Sequence, residues 1–87
     1  MLFYNDKILK KINKNIIPKN IFIHINNAFK SIDLTKDLTL FDISRIKGKA
    51  KRVYYRLRKG KYRAIFYIEN NNIYVIGLDK REDIYKK

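Results

Sequence analysis

The chain has 87 residues, 46% of them hydrophobic, with 21 Lys+Arg against 8 Asp+Glu and a net charge of +13. That size suits a single domain over residues 1–87 with one modest hydrophobic core. The absence of cysteine rules out a disulfide framework, a thiolate metal site and a cysteine nucleophile, and a single histidine rules out a two-histidine catalytic pair.

A short strand is expected at Leu2–Tyr4. Asp6 is placed to cap a helix in which Ile8, Leu9, Ile12 and Ile16 recur at helical spacing, and Pro18 stops or restarts it. From Ile21 the positions Ile21, Phe22, Ile25, Ala28, Phe29 and Ile32 form a second amphipathic face, although Ile21-Ile23-Ile25 also alternates as a strand would. Up to Gly48 the chain therefore reads as helical, and beyond it as strands. Val53, Tyr55 and Leu57 alternate with Tyr54, Arg56 and Arg58, and Lys59-Gly60-Lys61 makes a turn. Tyr62 to Glu69 is apolar on both faces, as in a central strand. Asn70-Asn71-Asn72 makes a second turn before a last strand from Ile73 to Leu78. The expected fold is α+β in the order β-α-α-β-β-β, with two N-terminal helices packed on one face of a small antiparallel sheet.

Alternation then sorts the chemistry. If Tyr62, Ala64, Phe66 and Ile68 pack under the helices, Arg63 goes to the opposite, open face with Ile65 and Tyr67, beside Tyr54, Arg56 and Arg58 of the preceding strand. A solvated sheet surface accounts well for Arg58 and Lys61. It accounts less well for Arg63, a charge in mid-strand between apolar neighbours. Acidic residues are scarce, with two Glu in the whole chain, so A/T-rich coding bias explains Lys over Arg but not the net charge. Such a field favours a polyanion, nucleic acid first, with an anionic membrane surface or an acidic protein as the rivals. Apolar runs such as Ile21-Phe22-Ile23 are too short to span a bilayer, and Met1-Leu2-Phe3-Tyr4-Asn5-Asp6 lacks a signal-peptide pattern, so the expected address is the cytoplasm.

Three stretches taken together resemble the RelE/ParE toxin superfamily, RelE-like branch. They are Ile46-Lys47-Gly48, the run from Tyr55-Arg56-Leu57-Arg58-Lys59-Gly60-Lys61-Tyr62-Arg63 to Tyr67, and Ile73-Tyr74-Val75-Ile76-Gly77 with the terminal Arg81-Glu82-Asp83-Ile84-Tyr85. The resemblance implies the toxin of a bacterial type II toxin–antitoxin pair, held inactive by a cognate antitoxin protein. The terminal Arg-x-Asp-Ile-Tyr resembles the branch that cleaves mRNA in the ribosomal A site, so ribosome and mRNA are the implied targets. The same resemblance leaves open a ParE-like inhibitor of DNA gyrase, or a degenerate toxin acting as a binding module. A general nucleic-acid-binding protein is a further reading of the charge.

Carried across, Arg63 matches the arginine at the scissile phosphate and Tyr85 the C-terminal tyrosine. Arg56 and Tyr54 occupy two strand positions that are lysines in the best-known form. Arg81 is a candidate for the second arginine, although spacing from Gly77 would put Asp79 there, and Ile84 stands where some relatives have histidine.

Cleavage by the RNA's own 2′-OH needs that proton removed, charge on the phosphorane stabilised, and the leaving 5′-oxygen protonated. Arginine suits the second task, because its planar fork holds phosphate oxygens with two bonds. Tyr85, a phenol among cations, would stack on a base or act as a weak general base, with Lys51 another candidate. No metal or small-molecule cofactor is called for. Lys47, Lys49, Lys51 and Arg52, where the chain enters the strands, are expected to contact RNA or antitoxin, with Tyr54, Arg58 and Lys61 beside them. The chain's aromatic residues suit stacking on single-stranded RNA, although most, including Phe22, Phe29 and Phe66, are expected in the core. His24 and the helix face of Lys10, Lys11 and Lys14 read as ordinary surface.

Overall fold

The structure, a computed structural model, describes residues 1–46 and 51–80. In chain order it runs β1 (Leu2–Tyr4), α1 (Asp6–Asn13), α2 (Lys19–Thr35), β2 (Asp42–Ile46), β3 (Tyr54–Lys59), β4 (Tyr62–Glu69) and β5 (Asn72–Lys80).

Asn5, not Asp6, caps α1: its side-chain oxygen accepts the Lys7 N–H at 2.8 Å, satisfying one of the free amides of the first turn. Ile8 and Ile12 bury one face of that helix. Ile16 falls beyond its end and is exposed, while Ile17 enters the core in its place. Pro18, with extended backbone, precedes α2 and accepts the Phe22 N–H through its carbonyl, so it restarts the helix. The helical period prevails over the Ile21-Ile23-Ile25 alternation: Ile25, Ala28, Phe29 and Ile32 are buried and Ile23 is exposed. No described helix is long and apolar enough to cross a membrane.

The strands form one sheet in the order β1-β5-β4-β3-β2. The α+β arrangement of two helices and a sheet stands, with two corrections. The segment Asp42–Ile46, expected to be helical, is a fifth strand that pairs antiparallel with β3. The sheet is antiparallel except at one edge, where β1 runs parallel to β5. At the β3–β4 turn Gly60 has φ +58°, a conformation that glycine adopts without strain. At the β4–β5 turn Asn70 and Asn71 both have positive φ, as a two-residue hairpin requires, and Asn72 begins the strand instead of ending the turn.

Leu57, Tyr62, Ala64, Phe66, Ile73, Val75 and Leu78 face the helices and are buried. Phe29 of α2 meets Phe66 edge-on at 5.0 Å, and Tyr55 stacks on Phe66 at 5.5 Å. The Tyr4 hydroxyl donates to Asn26 at 2.8 Å, and burial pushes this phenol well above its ordinary range. In β5 the alternation breaks. Ile65 opposes Gly77 but Phe66 opposes Val75, which leaves Ile76 as an extra residue. The bulge lets Ile73, Val75 and Leu78 all reach the helix side and turns Gly77 and Asp79 to the other.

Because Phe66 joins α2 to the sheet centre, Phe66→Ala should cost about 3–5 kcal/mol of stability. Urea unfolding followed by circular dichroism measures this.

Candidate nucleic-acid interface

Away from the helices, the register arranges side chains in cross-strand rows. Asp42, Arg58, Arg63 and Asp79 form the first, each the partner of the next on β2, β3, β4 and β5. Ser44, Arg56, Ile65 and Gly77 form the second. Ile46, Tyr54, Tyr67, Tyr74 and Phe3 form the third, which crosses the whole sheet. Successive rows lie about 7 Å apart along the strands. Cations thus occupy the first two rows and rings the third.

Arg63 sits on the face that alternation assigns it but is not an open surface residue: it is only 1% exposed. Its neighbours in the sheet contribute to this burial. β4 is the central strand of five, flanked at this level by Arg58 on one side and Asp79 on the other. Arg56 and Arg58 are half-buried. Their Nε atoms are buried and have no hydrogen-bond acceptor among the described residues. Buried donors in this condition favour a ligand rich in acceptor oxygens. Asp79 accepts a hydrogen bond from Lys11 Nζ, which ties α1 to the end of the first row. Lys61 is exposed in the turn beside Gly60, at the same end of the sheet.

The remaining predicted contacts lie elsewhere on the face. Lys51, Arg52 and Tyr54, with Glu69, line a surface depression of about 440 Å³ at the ring end of the sheet. Arg52 lies over the Tyr67 ring at 4.1 Å and pairs with Glu69 at 3.3 Å. Lys51 is exposed and lines this depression with Tyr54 of the third row, at the end of the face away from the Arg58–Arg63 pair. Lys47, Lys49, Arg81 and Tyr85 lie outside the described residues.

No protein-family model matches the chain, and no curated protein sequence matches it. Solved structures do, among them two RelE complexes. RelE chains are involved in both: a RelB–RelE antitoxin–toxin complex from Methanococcus jannaschii matches with a TM-score of 0.74 at 25% identity, over 95% of this chain and 94% of that one. An archaeal RelE–RelB complex from Pyrococcus horikoshii OT3 matches with a TM-score of 0.72 at 19% identity, over 92% of each chain. The chain is RelE-like.

Within this RelE-like sheet, three arginines on two adjacent strands provide what phosphate binding needs: fixed positive charge, forked donors, and partial removal from water, which strengthens each contact. Several members of the face escaped sequence reasoning. Asp42 and Ser44 belong to a strand read as helix. Tyr74 and Phe3 meet only through the β1–β5 pairing, which has no local signal. Asp79 was visible only as a departure from the expected arginine.

Arg56→Gln and Arg58→Gln should each weaken binding of single-stranded RNA by a similar factor for all sequences. Each should also reduce the slope of log K against log salt by about 0.7, the share of one phosphate contact on a single strand. Fluorescence anisotropy at several salt concentrations measures both effects.

Proposed function

We propose that this chain is the toxin of a type II toxin–antitoxin pair and acts as a ribosome-dependent mRNA endoribonuclease. The observation that carries this reading is the pair of buried Nε donors of Arg56 and Arg58 beside Arg63, on the face of a RelE-like sheet. Both similar solved chains come from complexes of RelE with RelB. A net charge of +13 also suits an acidic or amphipathic antitoxin segment that covers the arginine rows until the toxin is released.

In the reaction the 2′-oxygen attacks the adjacent phosphorus, the 2′-O–P bond forms and the P–O5′ bond breaks. The products are a 2′,3′-cyclic phosphate and a 5′-hydroxyl end. Arg56 and Arg58 offer donors to the nonbridging oxygens as charge builds on them, and Arg63, buried in the free chain, joins them by turning its fork outward. Tyr85 and Arg81, from the terminal motif, are the proposed partners for proton transfer and leaving-group charge. A guanidinium is not a proton acceptor in a protein, so the base is another group. The ribosome supplies what the chain lacks, namely an extended mRNA presented in one geometry.

Purified protein added to ribosomes stalled on a defined mRNA, with ends mapped by primer extension, tests the proposal. Cuts are expected at the A-site codon, none on free mRNA, and a rate at least about a hundredfold lower for Arg63→Lys, which keeps the charge but loses the fork. Intact mRNA with folded wild-type protein, or equal cutting by Arg63→Lys, would contradict the proposal.

A further inference from the structure

Asp79 lies beside Arg63 on the adjacent strand and on the same face of the sheet. Register partners on antiparallel strands have Cα atoms about 4.5–5.5 Å apart, so a carboxylate on β5 is within reach of the Arg63 guanidinium. Arg63 is almost wholly buried, and with little water to screen it a neighbouring charge acts strongly. The Asp79 carboxylate is bonded to Lys11 of α1, 68 residues earlier in the chain. The path of the chain allows this. β1 pairs only with Ile73, Tyr74 and Val75, so among the described residues the second half of β5 has no strand on that side. α1 begins directly after β1, packs against β5 and brings Lys11 round this edge.

From this we propose that Lys11 is a positioning residue for Arg63: by engaging Asp79 it keeps that carboxylate from competing with a phosphate for the arginine fork. The proposal rests on the reading that this face binds RNA phosphates. A carboxylate and a phosphate offer a guanidinium the same feature, two oxygens spaced to match its paired N–H groups. Fixed on the neighbouring strand, an unpaired Asp79 would meet Arg63 at high effective concentration and at no cost in bringing the two together. Lys11 offsets its charge and occupies Oδ1, one of the two oxygens that a bidentate arginine pair uses.

Stability gives a weaker reason for the pair. Lys11 and Asp79 keep 35% and 38% of their side-chain surface exposed, and ion pairs that open to water add little to folding. The effect on Arg63 is of another kind, since it depends on where the carboxylate stands and not on what the pair contributes to the fold. Lys10 separates this effect from that of charge in general. It sits one residue earlier on the same helix, is exposed, and makes no ion pair among the described residues. Its removal takes the same unit of charge from the protein and leaves Asp79 engaged.

The test is a double-mutant cycle on the full chain, titrated at fixed salt with a labelled 2′-O-methyl oligouridylate and read by anisotropy. Circular dichroism melting checks that each variant is folded. Lys11→Met, which keeps the aliphatic stem, should weaken binding about tenfold in the parent but less than about twofold in the Asp79→Asn background, where no competing carboxylate remains. Lys10→Met should cost less than about twofold. A second readout needs no RNA: the Arg63 Nε–Hε signal of the free ¹⁵N-labelled protein should move on Lys11→Met and stay in place on Lys10→Met. Equal losses for Lys11→Met in the two backgrounds, or no loss in the parent, overturn the positioning role and leave the phosphate reading standing. Absence of binding by the unsubstituted protein overturns the phosphate reading, and an Arg63 signal unmoved by Lys11→Met overturns the positioning role by itself.

Discussion

A slip of β4 by one residue against its neighbours would turn Arg63 into the helices and Phe66 out to solvent. Side chains alternate with a period of two along a strand, so register decides which face each one joins. Phe66 guards against the slip, held between Phe29 and Tyr55 on the helix side. The bulge at Ile76 then adjusts β5 to a register already determined by β4. It keeps Ile73, Val75 and Leu78 in the core and brings Asp79 level with Arg63. The arginine rows are thus held in place by apolar packing on the reverse of the same strands. Rigid placement of this kind is what lets donors act on a ligand without first reorganising.

Three guanidinium groups on two neighbouring strands repel one another, and burial of Arg63 removes much of the water that would screen them. Carboxylates stand at both ends of the first row, Asp42 beside Arg58 and Asp79 beside Arg63 in register, which lowers that cost. Lys11 adds a cation at the Asp79 end and links a helix to the row. A bound polyanion relieves the remaining repulsion, whether it is an RNA backbone or an acidic protein segment. On the proposed function, one surface would serve both a substrate and an inhibitor, and the two would compete for the same donors.

Strong local periodicity made much of the molecule legible. The α2 stripe and the full span of β4 follow from spacing alone, as does the side of the sheet on which Arg63 lies. What escaped depended on contacts between distant parts of the chain. Asp42–Ile46 offers only Ile43 and Ile46 as apolar residues, and an edge strand with one neighbour leaves a weak pattern. The parallel pairing of β1 with β5 joins the two ends of the described chain, and without it Phe3 and Tyr74 would not meet. Arg63 could be assigned to a face, but not its burial, since alternation along one strand does not say what lies beside it.

The most direct measurement is a heteronuclear NMR titration of ¹⁵N-labelled protein with a short 2′-O-methyl RNA, which binds without being cut. The expected result is movement of the Nε–Hε signals of Arg56 and Arg58 and of the backbone amides around Arg63 and Ile65, with the amides of α2 unmoved. Shifts confined to the helices, with the Arg56 and Arg58 side-chain signals unchanged, would contradict an RNA-binding role for the open face of the sheet.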